Sequence, residues 1–281
     1  MVEEWRFIRS GHGAPAYNMA VDEAILTAHS EGKVPPTVRF YGWSPATLSI
    51  GYFQKAKAEV DFAAVERAGL GFVRRATGGR AVLHDQELTY SIIVSEDYPG
   101  IPSSVTEAYR VLSHGLLLGF RRLGLEADMV QLASEDDQQK YASMGSAACF
   151  DSPSWYELVV EGRKVAGSAQ TRAKGVVLQH GSILLDLDAD ALFDLLLFSS
   201  DKVKDRMKQQ FLRKAVAIND LMRDAGRDAV GLEAVDEAFA AGIAEGLGIR
   251  LVEGELTLYE RELAQQLVKE KYDNREWNLR R

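Results

Sequence analysis

The sequence predicts an α+β fold built on a mixed sheet, and three observations carry that expectation. Strand patterns dominate the middle of the chain. Helix patterns dominate its end. The strict βαβα alternation of a doubly wound parallel sheet is absent. The 281 residues are 46% hydrophobic and 26% charged, an ordinary globular balance that can bury a substantial core.

The first helix pattern covers 16–30, with Tyr17, Ala20, Val21, Ala24 and Ala28 on one face and Gly32 as its stop. Strand patterns at 38–41 and 47–52 flank a turn at Gly42-Trp43-Ser44-Pro45. Asp61 is placed to cap a short helix ending near Ala68. A strand at 71–75 then enters a glycine-rich loop, and 88–94 is a further apolar, β-branched strand. Ser104-Val105-Thr106-Glu107 reads as a capping box for a helix to about Leu123. Residues 132–149 are polar and irregular and read as a mobile surface loop. A hairpin is expected from 155–160 and 163–166 around Glu161-Gly162. Residues 176–187 form a long strand pattern, with a bend expected at Gly181. Helix patterns follow at 191–198, 232–246 and 257–273, with a short strand near 250–252. No proline- or serine-rich linker divides the chain. One main domain is therefore expected from residue 1 through 220 or so to about 250, with 251–281 a helical extension packed on it.

Composition narrows the function. The longest apolar runs, 115–120 and 192–198, are too short to cross a bilayer. The start, Met1 to Trp5, has neither a basic region nor an apolar one, so a cytoplasmic protein without a membrane partner is expected. A single cysteine excludes an intramolecular disulfide and any multi-cysteine metal site. A net charge of −8 argues against wholesale nucleic-acid binding.

Four places could carry chemistry. The run Arg74-Arg75-Ala76-Thr77-Gly78-Gly79-Arg80-Ala81-Val82-Leu83-His84-Asp85 combines cations with glycines that permit close backbone approach to a ligand. It is equally a tight turn with a basic rim, and its spacing is not that of a P-loop or a dinucleotide fingerprint. Gly162-Arg163-Lys164-Val165-Ala166-Gly167-Ser168-Ala169-Gln170 places a lysine beyond a hairpin turn, either solvated or functional. Cys149 ends a small-residue stretch and is either a small hydrophobe or a reactive thiol, which at neutral pH needs a nearby cation. His180 precedes Gly181 in a strand and is structural or ligand-facing.

Taken in order, these motifs and Gln179-His180-Gly181-Ser182-Ile183-Leu184-Leu185 resemble the catalytic domain of the biotin/lipoate protein ligase superfamily over most of the chain. The segment from Ala148 to Val159 resembles the signature of LipM-type octanoyltransferases. The resemblance implies a mixed β-sheet with a second smaller sheet and flanking helices. It implies that Cys149 carries an acyl group as a thioester. Lys164 would lower its pKa and serve the oxyanion or the attacking amine. Arg75, Thr77, Gly78, Gly79, Arg80, Ala81, Val82, His84, Gly167, Ser168, Ala169, Gln170, His180 and Gly181 would shape the acyl site. Octanoyl would pass from the phosphopantetheine of acyl carrier protein to a lysine of the glycine cleavage system H protein or another lipoyl domain. Neither ATP nor metal is expected, and the chain is expected to act as a monomer.

Two departures separate it from relatives. ATP-dependent lipoate ligases commonly have a third glycine where this chain has Arg80. The other octanoyltransferase family places its cysteine beyond the His-Gly strand, where this chain has none. Arg74, Arg75, Arg80, Arg163 and Arg172 are the expected docking patch for acidic carriers. The alternatives are an amidotransferase between lipoyl domains, an ATP-dependent lipoate ligase, and a non-catalytic acyl or lipoyl sensor.

Overall fold

Alternating strands at the start of the chain and in its middle meet in one sheet, and helices cover both faces. The computed structural model describes residues 2–131 and 156–280. Strand β1 (Glu3–Gly13) leads into α1 (Pro15–Ser30), β2 (Thr37–Trp43) and β3 (Thr47–Ile50). Short helices α2 (Ala56–Glu59) and α3 (Phe62–Arg67) precede β4 (Gly71–Arg74), β5 (Val82–His84) and β6 (Glu87–Ser95). Next come α4 (Val105–Arg122), β7 (Ala127–Gln131), β8 (Tyr156–Val160), β9 (Arg163–Lys164), β10 (Ala166–Ala173) and β11 (Val176–Leu184). The remainder is α5 (Ala189–Asp194), α6 (Asp201–Lys214), α7 (Ile218–Asp224), α8 (Leu232–Leu247), β12 (Ile249–Glu253), α9 (Leu258–Leu267) and α10 (Arg275–Asn278). A π-helical turn, Val268–Tyr272, joins the last two helices.

The six-stranded sheet runs β10-β11-β6-β2-β1-β12, parallel at β2-β1-β12 and antiparallel elsewhere. Two three-stranded sheets, β4-β3-β5 and β7-β8-β9, stand beside it, one more than expected. On one face of the main sheet Phe7, Phe40, Tyr90 and Ile92 pack with Phe120 and Phe239 from α4 and α8. The other face takes α1, which is buried from Asn18 to Ala28 at every position but Glu23. Helix α9 covers α1, and the buried Arg6–Glu260 pair, 2.5 Å apart, ties it to the sheet. Among the described residues no helix is long and apolar enough to cross a membrane.

Several local expectations need correction. Strand β1 was not anticipated, because Glu3, Glu4, Arg6 and Arg9 interrupt its apolar residues; pairing with β2 and β12 makes it an interior strand. Helices α6 and α7 were also not anticipated: α6 buries only Met207 and Phe211 and has a weak apolar stripe. Helix α5 is shorter than the 191–198 pattern. The Ser104 capping box does not form, since Ser104 Oγ meets Thr106 Oγ1 and Glu107 bonds Tyr156 and Arg110. Instead Thr257 and Glu260 make one at α9. The hairpin at Glu161-Gly162 forms, both residues having positive φ. It is short, because the chain leaves it at Lys164 and joins the main sheet as β10. Strand β11 keeps unbroken register with β10 and β6 through Gly181. The 132–149 segment lies outside the described residues.

Helices α4 and α8 cross at glycines spaced four apart, Gly115 and Gly119 against Gly242 and Gly246. A Cβ on Gly242 would stand 2.4 Å from the Gly119 backbone nitrogen. Helix propensity favours alanine over glycine by about 1 kcal/mol, but overpacking of about 1–3 kcal/mol or more opposes it. Here the clash is with backbone and wins. Gly242→Ala is expected to lower the urea midpoint; an unchanged or raised midpoint would mean the helices separate at little cost.

Candidate active site

The site begins with a lapse in a pattern. In β6, Leu88, Tyr90 and Ile92 face the α4 side, while Thr89 and Ser91 face α1. Across the sheet the same α1-side rows hold Arg39 and Tyr41 on β2, His180 and Ser182 on β11, and Gly167 and Ala169 on β10. A polar band is thus buried beneath a helix, where each group needs a partner.

Asp22 of α1 supplies one set. Its carboxylate takes hydrogen bonds from Arg39 at 2.7 Å, Tyr41 at 2.9 Å and Ser91 at 3.0 Å. His180 Nδ1 lies 3.3 Å away, and His180 Nε2 meets Thr77 Oγ1 at 2.6 Å. Burial alone would raise the Asp22 pKa, but Arg39 and His180 overcome it and hold the carboxyl below its usual range. Burial pushes the His180 imidazole down, against the opposing pull of Asp22. Burial, and then the Asp22 charge, drive the Tyr41 phenol well above its ordinary value.

Glu87 supplies the second set. It accepts from Thr89, Ser182 and Trp43 Nε1, and it meets His84 Nδ1 at 2.8 Å. His84 Nε2 meets Ser49 Oγ at 2.6 Å, and Ser49 takes a 2.6 Å bond from Arg75. Trp43 stacks on His84, with centroids 4.2 Å apart. Arg75 also donates to the carbonyls of Gly78 and Arg80, pinning the glycine loop from within. Gly79 has a φ of +91°, and its carbonyl approaches Gly51 so closely that a Cβ there would lie 2.0 Å away.

A narrow cleft opens between this loop and the β10–β11 edge of the sheet. Arg75, Gly79, Val82, His84, Gly167, Ser168, Ala169, His180 and Gly181 line it, with Met19, Tyr41 and Trp43 contributing from α1 and β2. Other residues singled out from the sequence lie behind this lining. Thr77 holds His180, and Gly78 and Arg80 offer carbonyls to Arg75. Ala81 is packed in the core of a small sheet, and Gln170 bonds Gln179. Gly181 is required for close approach: a Cβ there would stand 2.3 Å from the Gly167 carbonyl. Lys164 is buried on β9, just before β10 in the chain, 2.8 Å from Glu157. Cys149 lies outside the described residues.

Two arginines of the expected patch are interior. Arg74 is fully buried and donates to the carbonyls of Gly51, Tyr52, Gln54 and Arg280. Arg75 is buried in the loop. Arg163 pairs with Glu161 and Asp224, and Arg172 with Glu96. Sequence reasoning missed Asp22, Arg39, Glu87, Ser49 and Glu157. A signal existed for Arg39, which lies within an apolar strand run, where a buried charge needs a partner; Asp22 lies off the apolar stripe of its helix pattern and gives none. Among the described residues, no three His, Cys, Asp or Glu side chains converge as a metal site requires.

An α+β domain with a narrow, mostly apolar cleft under a glycine loop, over a buried polar floor, is the class that this geometry defines. Residues 14–244 match the lipoyl protein ligase A/B catalytic domain, and the chain belongs to that family. Over 280 residues, all of both chains, it is 64% identical to Octanoyltransferase LipM of Brevibacillus brevis. Over 279 residues, 99% of each chain, it is 57% identical to Octanoyltransferase LipM of Bacillus subtilis. Among solved structures it resembles lipoate-protein ligase A bound with ATP, with TM-score 0.78, 27% identity and 98% of each chain covered. A bipartite lipoate protein ligase from Thermoplasma acidophilum gives TM-score 0.79 at 27% identity, covering 99% of this chain and 96% of that one.

Two outcomes follow from the buried groups. Asp22→Ala strands the Arg39 guanidinium and is expected to cost about 3–5 kcal/mol in urea unfolding; a cost below about 1 kcal/mol would show that the arginine finds other partners. The second concerns pH. The unfolded His180 takes up a proton near about 6.5 while the folded one resists. Stability should therefore fall as pH drops below that value, until the lowered folded pKa is reached. His180→Gln should flatten the decline between pH 6.5 and 5, and an unaltered slope would assign it to other groups.

Proposed function

We propose that the chain moves an octanoyl group from the phosphopantetheine arm of acyl carrier protein to a lysine of a lipoyl-accepting protein, by way of a thioester on Cys149. The chain is an octanoyltransferase of lipoate biosynthesis, by its full-length likeness to the octanoyltransferases above. The observation that supports this route is the convergence of the 75–84, 167–169 and 180–181 segments on one cleft. Lys164 is buried on β9, three residues before Gly167 of that cleft.

In this reading the Cys149 thiolate attacks the donor thioester carbonyl, and the tetrahedral oxyanion collapses to expel the pantetheine thiolate. The acceptor lysine, as free amine, then attacks the Cys149 thioester. It loses its proton and expels the cysteine thiolate as the amide forms. The first exchange is nearly isoenergetic and the second is downhill, so neither ATP nor a metal takes part. Splitting the transfer in two is nucleophilic catalysis. Lys164 favours the thiolate by its charge and stands ready for the oxyanion. Its pairing with Glu157 fixes the ammonium in place. The acyl tail occupies the narrow slot between Gly79, Val82, Gly167, Ala169 and Gly181. Thr77, Gly78, Arg80, Ala81 and Gln170 shape that slot from behind, and His84 and His180 hold its polar floor. The H protein of the glycine cleavage system is the proposed acceptor, and the enzyme works as a cytoplasmic monomer.

Incubation with octanoyl-acyl carrier protein should give a single octanoyl adduct in the intact-protein mass spectrum, removable by hydroxylamine and absent in Cys149→Ser. If no acyl donor labels the protein, and free octanoate with Mg-ATP sustains acceptor modification, the ligase chemistry is correct instead. Acyl binding without turnover, indifferent to Cys149→Ser, would indicate a sensor. The lysine has its own readout: Lys164→Ala should move the pH profile of Cys149 alkylation upward, and an unmoved profile removes that role.

A further inference from the structure

Helix α6 carries six cations, Lys202, Lys204, Arg206, Lys208, Arg213 and Lys214, against two acids, Asp201 and Asp205. It does so on a chain of net charge −8. Lys204 and Lys208 turn back to Asp194 and Asp190 beside α5. Lys202, Arg206 and Arg213 do otherwise. They recur at i, i+4 and i+11, which at 3.6 residues per turn is one stripe completed by Gln209. All four are exposed, whereas Met207 and Phe211 are buried. Exposed Val203 borders the stripe on one side, and exposed Asp205 and Leu212 border it on the other.

A merely solvated helix face interleaves opposite signs four residues apart. Here Lys202 and Arg206 repeat the same sign at that spacing, an arrangement that weakens a helix. The stripe also has a direction. Just past its C-terminal end, Ala215 bridges Lys164, and Val216 donates a 3.0 Å backbone bond to the Lys164 carbonyl. From there the 14 residues of α6 lead away over about 21 Å.

We propose that the Lys202–Arg206–Arg213 stripe of α6 is the docking surface for an acidic face of the donor carrier protein. The proposal rests on the acyl-transfer reading above. An acidic protein face of helix length matches the stripe, whereas an extended polyanion or an anionic membrane would run beyond it onto a negatively charged background. Distance favours the donor over the acceptor. A carrier holds its thioester on a long flexible arm and can dock a helix length from Lys164. An acceptor lysine reaches only the length of its own side chain.

The test uses the full chain with Lys202→Glu, Arg206→Glu and Arg213→Glu combined, and a milder triple variant with glutamine at the same positions. Self-acylation is followed with octanoyl-acyl carrier protein and, separately, with octanoyl-N-acetylcysteamine. The glutamate variant should raise the half-saturating carrier concentration tenfold or more and flatten its salt dependence. The glutamine variant should fall between, and both should match the wild type with the small thioester. Unchanged carrier kinetics in both variants would overturn the proposal. So would an equal loss with the small thioester, which marks a structural defect, or an effect confined to the acceptor protein. Vesicle binding lost in the variants, with carrier kinetics intact, would reassign the stripe to a membrane. If wild-type protein takes octanoyl from neither thioester, the transfer reading itself fails and this surface falls with it.

Discussion

The Asp22–Arg39 ion pair is the constraint around which the molecule is arranged. Both groups are essentially solvent-free, at 1% and 0% exposure. A charge in such a place persists only when paired and hydrogen-bonded. The pair joins α1 to β2, and through Ser91 and His180 it fixes β6 and β11 as well. Arg39 also donates to the Asn18 carbonyl and side chain and to Ser10. One carboxylate and one guanidinium thereby set the position of the central helix over four adjoining strands. A swap for apolar residues would satisfy the same space more cheaply, but it would remove the polar floor from which the cleft is built.

The glycine loop depends on a different economy. Arg75 binds the loop carbonyls, and Ser49 links it to His84 and Glu87. The loop is therefore held by its own motif. Gly51 and Gly181 admit neighbouring backbones that any side chain would displace. Conserving that geometry matters more to the cleft than exposing cations does, which explains why Arg74 and Arg75, cations in the sequence, are interior struts. Exposed cations stand on α6 at Lys202, Arg206 and Arg213, in a segment whose few apolar residues gave little sign of a helix.

The sequence by itself determined the α+β class, most of the elements around the sheet, and the segments that converge on the cleft. Local chemistry suffices for these: β-branched runs, glycine pairs and the Glu161-Gly162 turn act within a few residues. It also determined that Cys149 is the one thiol in the chain. Tertiary structure alone decided the rest. Strand β1 is interior because β12, more than two hundred residues later, covers its edge. Strand β6 reads in the sequence as an apolar strand, yet α1 buries its polar positions and turns Thr89 and Ser91 into site framework. Asp22 finds Arg39 and Thr77 finds His180 through folding across chain distances that no local pattern encodes. Partnering of buried charge is a long-range property, because desolvation penalises the isolated group and only the assembled core determines which opposite charge lies within reach.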